Sequence, residues 1–275
     1  MGKILIFFGA RMLAMIPPLD YGKAVQVILR FLKDYVEEAG RRGIVVGLSG
    51  GLDSSVVCAL AVKALGSEKV HGLVMPDRKV TPSEDVEDAM SLAESLGVCC
   101  QVVELDQIYD SFSRAMRFYV DEADIPNANL RARIRMVILY YYANLNGLLV
   151  CGTGDKSEIM LGYFTKYGDG GVDILPIGDL YKTQVRELAR RLNLPRRIVE
   201  KPSSPRLLPG QTAEEEIGAT YEEIDQILYL HFERGLSLDE VEKETGIDRG
   251  KIDGVIARVR ANEHKRRLPP IARIR

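Results

Sequence analysis

Short apolar runs alternate with longer segments in which apolar residues recur at helical spacing. The runs Ile44–Leu48, Val70–Met75, Val98–Leu105 and Leu148–Cys151 each have the length and β-branched content of a buried strand. Val172–Leu175 offers a short fifth. Pro76 takes the chain out of the sheet after the second run. Between the strands, Asp20–Gly40 places Ala24, Val27, Ile28, Phe31, Leu32, Tyr35 and Val36 on one helical face. Val56–Leu65 is a second helical segment. A third begins at Thr81-Pro82-Ser83-Glu84, with Glu84 and Asp85 at the positive end of its dipole, and runs to Leu96-Gly97. The pattern predicts further helices over Gln107–Ala123, broken by Ile125-Pro126-Asn127, and over Asn129–Leu145. Beyond Tyr181 it is helical: Tyr181–Leu192, Tyr221–Arg234, Leu238–Thr245 and Asp248–Lys265, with a proline-rich loop from Lys201 to Gln211.

Strands alternating with helices imply parallel pairing through right-handed crossovers. The expected fold is α/β, a doubly wound parallel sheet flanked by helices, with a helical C-terminal region. Ligands of such sheets bind outside the C-terminal strand ends. Two candidate stretches sit there. The first is Gly47-Leu48-Ser49-Gly50-Gly51-Leu52-Asp53-Ser54. It reads as strand end, glycine turn and helix start, with Asp53, Ser54 and Ser55 as candidate caps. Free first-turn amides and close-approaching glycines make that geometry an anion site. No Gly-Lys-Ser/Thr closes it, and the G-x-G-x-x-G spacing is absent, so neither a Walker loop nor a dinucleotide fingerprint is present. The second stretch runs from Cys151-Gly-Thr-Gly-Asp-Lys-Ser-Glu158 into Gly162–Asp173. Gly162, Gly168, Gly170 and Gly171 predict an irregular, mobile loop carrying Lys166, Asp169 and Asp173, as in an active-site lid.

Composition narrows the class. The 275 residues are 46% apolar and 28% charged, with a net charge of −2, so no global drive toward nucleic acid or an anionic membrane exists. Cys58, Cys99, Cys100 and Cys151 form no C-x-x-C pair and read as reduced, buried thiols of a cytoplasmic protein. The apolar run Ile4–Phe8 is too short to span a bilayer. Residues 1–20 read as an extension of unknown role, with Met12 and Met15 as alternative starts, and residues 21–275 as one domain.

Ser-Gly-Gly-Leu-Asp-Ser at 49–54 matches the pyrophosphate loop of the N-type ATP pyrophosphatases, which split ATP between the α and β phosphates. Joined to Gly152-Thr153, Glu158 and Gly162-Tyr-Phe-Thr-Lys-Tyr-Gly-Asp169, it resembles the ammonia-dependent NAD synthetase family. Ala132-Arg-Ile-Arg-Met136, Pro209-Gly-Gln-Thr212 and His264-Lys265 extend the likeness over nearly the whole chain. The resemblance implies an adenine-nucleotide α-hydrolase-like fold and a ligase that amidates deamido-NAD (nicotinic acid adenine dinucleotide) to NAD. The carboxylate would first attack the α-phosphorus of ATP, releasing pyrophosphate, and ammonia would then displace AMP. It further implies ATP contacts from Gly47 to Ser54 and from Thr153, Lys182 and Ser204, with Ser203 as an alternative register. Asp53 and Glu158 would hold magnesium, a hard cation that prefers oxygen ligands. Arg133, Lys166, Asp173, His264 and Lys265 would bind deamido-NAD. Arg131 and Arg135 share a helix face nearly opposite Arg133, which leaves Arg133 as the arginine expected at the ligand. Asp169 is the expected base for ammonium, and Lys182 would neutralise charge at the reacting phosphate.

Members of that family are homodimers, and the helix with Tyr140-Tyr141-Tyr142 offers an apolar face for a second copy. Glutamine-using relatives carry an amidase domain, for which the stretch before Ile44 is too short, so free ammonia is the expected donor. A separate glutaminase subunit is compatible with the sequence. The rival readings are a GMP synthetase-like or tRNA-thiolating enzyme with the same loop, a non-catalytic nucleotide sensor, and a helix-turn-helix nucleic-acid module over Leu238–Arg267.

Overall fold

The computed structural model describes residues 16–207, 210 and 212–274. Residues 1–15, with both alternative starts, lie outside it, as do Pro209 and Gln211 of the Pro-Gly-Gln-Thr motif. Helix α1 spans Tyr21–Glu38 and is capped by Asp20, whose Oδ1 accepts from Lys23 N at 3.0 Å. There follow β1 (Ile44–Gly47), α2 (Leu52–Leu65), β2 (Val70–Val74), α3 (Ser83–Ser95), β3 (Cys99–Val102), α4 (Asp106–Ala115), α5 (Asp124–Asn146) and β4 (Leu149–Cys151). The C-terminal part holds α6 (Lys156–Leu161), α7 (Lys182–Arg191), α8 (Arg196–Val199), α9 (Ala213–Ile217), α10 (Tyr221–Leu228), α11 (Leu238–Thr245) and α12 (Arg249–Ala261).

The four strands are parallel, in the order β3-β2-β1-β4, with Ile44 opposite Val70 on one side and Leu149 on the other. Alternation along β1 divides the core. Ile44 and Val46 pack with Leu32, Val56, Leu60 and Leu188 on one face. Val45 points the other way, onto Tyr109, Ile134 and Ala143. Both faces of β1, β2 and β4 are covered, so the sheet is doubly wound, while the edge strand β3 is largely exposed and carries Gln101. A third cluster joins Leu161 to Tyr221, Ile224, Val241, Ile252 and Ile256, which packs the helical C-terminal region onto α6, the helix that follows β4. Among the described residues no helix is long and apolar enough to cross a membrane.

Several expectations change. Val172–Leu175 is no strand: only Cys151 and Ile174 form a parallel bridge, because the Gly170-Gly171 turn precedes it and Pro176 follows. Pro126 is not the break that ends the helix expected over Gln107–Ala123, but lies within α5, which begins at Asp124. It occupies the first turn, where an amide would have no acceptor within the helix, and so costs nothing there. Helix α4 stops at Ala115 rather than Ala123. The helix from Tyr221 changes at Tyr229 to a wider π turn over Tyr229–Glu233. The cap of α2 is Gly51, and Asp53 and Ser54 lie inside its first turn.

Candidate active site

The C-terminal end of β1 turns through Leu48–Gly51 into α2. Gly50 adopts φ +71°, and a Cβ there would lie 2.0 Å from the carbonyl oxygen of Asp85, so only glycine fits between loop and α3. Ser49 Oγ accepts from Gly51 N at 3.2 Å and meets Ser54 Oγ at 3.0 Å. Ser55 Oγ donates to Gly51 O at 2.7 Å. These bonds hold the turn open around the amides that begin α2.

Over that turn lies a cleft. Of the residues expected at ATP and metal, Gly47, Leu48, Ser49, Gly51, Leu52, Asp53, Ser54, Thr153, Glu158 and Ser204 line it, as does Asp169. Gly50 faces α3 instead. Lys182 lies behind the cleft wall and is fully buried.

The Lys182 ammonium is surrounded by carboxylates. Its Nζ lies 2.7 Å from Asp53 Oδ2, 2.8 Å from Asp155 Oδ2 and 2.8 Å from Glu158 Oε1. Burial lowers its pKa, but Asp155, Asp53 and Glu158 together outweigh that and hold it well above the ordinary lysine value. Burial pushes the Asp155 carboxyl up to about 7 and that of Glu158 up to about 8, against the pull of Lys182. Three carboxylates against one ammonium leave an anionic excess. Their ligand oxygens lie within 4.8 Å of one another, and Asp53 Oδ1 is buried with no hydrogen-bond partner. That donor set fits a hard divalent cation. Asp155 was not singled out in the sequence. It caps α6, accepting from Glu158 N at 2.8 Å, and its place two residues after Thr153 was the signal.

Residues from distant segments brace this cluster. Asp225 of α10 is fully buried and accepts from Ser157 Oγ at 2.5 Å, Thr183 N at 2.9 Å and Thr183 Oγ1 at 2.7 Å. It thereby fixes the neighbours of Glu158 and of Lys182. Lys201 Nζ donates to Gly50 O at 2.9 Å, Asp85 Oδ1 at 2.7 Å and Asp88 Oδ2 at 2.6 Å, and Arg206 Nε reaches Asp85 at 2.7 Å. The segment bearing Ser204 is thus tied to the glycine turn.

The 162–171 segment is a packed turn rather than an open lid. Cβ atoms at Gly168 and Gly170 would meet Thr165 Cγ2 at 2.8 Å and Phe164 Cδ2 at 2.4 Å. Asp169 Oδ1 accepts from Thr165 N at 2.9 Å. Its carboxylate opens on the cleft but is crowded by protein, and this desolvation raises its pKa against the bonds and cations that lower it.

Of the residues expected at deamido-NAD, Arg133, Lys166, His264 and Lys265 gather outside the cleft and Asp173 lies apart from them. Arg133 Nη2 donates to Lys166 O at 3.3 Å, Lys166 Nζ to His264 O at 2.8 Å, and Lys265 Nζ to Gly162 O at 2.7 Å and Phe164 O at 3.0 Å. Lys166 and Lys265 line a smaller depression with Arg266 and Arg267. Asp173 is bound to Val150 N at 2.7 Å and to Tyr140 Oη at 3.0 Å, against the sheet edge. Arg131 pairs with buried Asp77 at 2.5 Å, whereas Arg135, expected away from the ligand, lines the main cleft.

A family model described as NAD synthase matches residues 24–269. The chain belongs to the NAD synthase family. The NH(3)-dependent NAD(+) synthetase of Hyperthermus butylicus is 55% identical over 252 residues, covering 92% of this chain and 91% of that relative. The solved NH3-dependent NAD synthetase of Campylobacter jejuni, in complex with nitrate, superposes with a TM-score of 0.78 at 32% identity, over 93% of this chain and all of that one (100%). The NMN synthetase of Francisella tularensis superposes with a TM-score of 0.81, also at 32% identity, over 93% and 99%. The family is one of ligases that form an amide C–N bond.

Proposed function

We propose that the chain amidates deamido-NAD to NAD with ATP and ammonia, releasing AMP and pyrophosphate. One observation carries this reading: the glycine turn, the Lys182 carboxylate cluster and Asp169 bound a single cleft. Relatives named as NH3-dependent synthetases, matched over most of both chains, support the nitrogen donor.

The chemistry follows from the residues. Backbone amides at the start of α2, with Ser49 and Ser54, receive the pyrophosphate of ATP. Asp53, Asp155 and Glu158 would hold Mg2+, which when bound offsets charge on the departing pyrophosphate. Lys182, behind the cleft wall, keeps the three carboxylates in place between turnovers and so acts on that charge through them. Thr153 and Ser204, which both line the cleft, contact the nucleotide. The substrate carboxylate attacks the α-phosphorus, and the mixed anhydride so formed carries AMP as a good leaving group. Asp169 binds ammonium and takes its proton, and a raised carboxylate pKa makes it a better base for that step. Arg133, Lys166, Asp173, His264 and Lys265 receive the distal part of deamido-NAD, with the contacts of Lys166 and Lys265 holding the C-terminal turn against the 162–171 segment.

The functional unit is a homodimer. Helix α5 exposes Val137, Tyr141 and Leu145 at four-residue intervals, an apolar stripe suited to a symmetric partner. Cytoplasmic ATP use agrees with four free thiols, of which Cys58 and Cys151 are buried. The basic residues of the Leu238–Arg267 region are largely spent within the chain, Lys251 on Glu223 and Arg249 on Asp253, which favours a small-molecule enzyme over a nucleic-acid module. The test is NAD formation from ATP, Mg2+, deamido-NAD and ammonium, with nicotinic acid mononucleotide as a parallel substrate. Turnover of the mononucleotide alone would move the assignment to the reaction named for the Francisella neighbour.

A further inference from the structure

Helix α5 carries three arginines within five residues, and two are accounted for. Arg131 is neutralised by Asp77 and stacks on the Tyr109 ring at 4.4 Å. Arg133 is exposed and bonds the Lys166 carbonyl. Arg135 differs from both. Its Nε donates to Met75 O at 3.0 Å, which fixes the guanidinium at the C-terminal end of β2. No carboxylate among the described residues forms an ion pair with it, and the side chain lines the cleft. Burial lowers its pKa to about 10, against the pull of Asp77 and Asp169, so it is still cationic at neutral pH. A half-buried guanidinium bonded to a carbonyl, with no ion pair among the described residues, is stabilised when an anion enters the cleft beside it.

The fold shows where that anion must be. Leu139 lies against Gly47 at the end of β1: a Cβ there would meet Leu139 Cδ1 at 3.6 Å. Arg135 is one helical turn away on the same face. As a crossover helix, α5 runs antiparallel to the strands, so Arg135 extends past the C-terminal edge of the sheet. The adjoining face of α5 receives the Asp169 turn: Cβ atoms at Gly168 and Gly171 would meet Ala132 Cβ at 3.0 Å and Met136 Cγ at 3.2 Å. Arg135 therefore sits between the phosphate end of the cleft and the carboxylate assigned to ammonium. The acid group that is activated by the one and aminated from the other has to lie between them.

We propose that Arg135 is the residue that reads the substrate's carboxylate, binding deamido-NAD through its nicotinate oxygens and thereby preferring the acid over its amide product. This rests on the amidation reading above. The planar guanidinium offers two terminal donors to a planar carboxylate, a match that the neutral amide of NAD cannot complete. Release of product is assisted by the same difference.

The experiment compares binding of deamido-NAD and NAD by calorimetry, with Mg2+ and α,β-methylene-ATP present to prevent turnover, in the wild type, Arg135→Lys and Arg135→Met. The wild type is expected to prefer the acid about ten- to a hundredfold, the range of a charge-assisted pair. Arg135→Met should reduce that preference to near unity while binding NAD and the ATP analogue as before. Arg135→Lys, which keeps the charge without the fork and preserves the fold, should retain part of it. Equal weakening of both dinucleotides would show a structural role and overturn the proposal, as would a wild type that binds acid and amide alike. Weakened ATP-analogue binding alone would assign Arg135 to a phosphate instead. A wild type that discriminates and turns over while Arg135→Met still discriminates refutes only this proposal. A wild type that binds neither dinucleotide refutes the amidation reading.

Discussion

Lys182 Nζ lies 2.7 Å from Asp53 Oδ2 although 129 residues separate them in the chain. The contact joins the first turn of α2, beside the glycine loop, to the first residue of α7. It makes one unit of the sheet and the helical region behind it. The same ammonium meets Asp155 and Glu158, so removing it would leave three crowded carboxylates unmatched.

Lys182→Met should therefore destabilise the metal-free protein by about 3–5 kcal/mol, the range for breaking a buried ion pair from one side. Thermal unfolding should show a fall of roughly 10 °C, with part recovered by millimolar Mg2+. An unchanged melting temperature without metal would show that the cluster is not held by this ammonium.

The carboxylates also give a pH dependence. Asp155 and Glu158 have pKa values raised by burial to about 7 and about 8, from ordinary values of 3.8 and 4.5. The folded state then binds protons that the unfolded chain has already lost. Their contribution to stability accordingly falls as pH rises from about 4 to about 8. Mg2+ competes with those protons. The gain in melting temperature on adding Mg2+ should be larger at pH 8 than at pH 6, and a gain independent of pH would place the metal elsewhere.

What could be read in the sequence was local. The β1–turn–α2 unit was legible because strand, glycines and helix start follow one another within a dozen residues. Asp53 and Glu158 were legible through the motifs that hold them. Asp155 was missed because an Asp before a helix reads first as a cap, and it does cap α6. Asp225 and Lys201 were missed because their contacts are made across the fold: Lys201 reaches Gly50 across 151 residues. Arg135 was set aside because its helical face is opposite that of Arg133, a correct geometric premise. The cleft lies on the Arg135 side. The fifth strand failed on its neighbours, a glycine turn before it and Pro176 after it.

Asp169→Asn should separate the two half-reactions. A single turnover should still release pyrophosphate, while amide formation slows about a hundredfold or more, the usual range for losing a general base. Quenched-flow analysis of both products checks this. Equal slowing of both steps would make Asp169 a binding residue.

The stripe Val137, Tyr141 and Leu145 predicts assembly. Light scattering should give a dimer for the wild type, and Tyr141→Glu with Leu145→Glu should give a folded monomer of unchanged helical content. A wild type that is monomeric and fully active on dilution would remove the dimer from the account.

The most direct measurement of the central claim is the product balance of the purified chain supplied with ATP, Mg2+, deamido-NAD and ammonium. The account predicts NAD, AMP and pyrophosphate in equal amounts, with little NAD when glutamine free of ammonium replaces the ammonium salt. ADP and phosphate in place of AMP and pyrophosphate would contradict it, because cleavage would then fall at a bond that the glycine turn and the carboxylate cluster are not arranged to break.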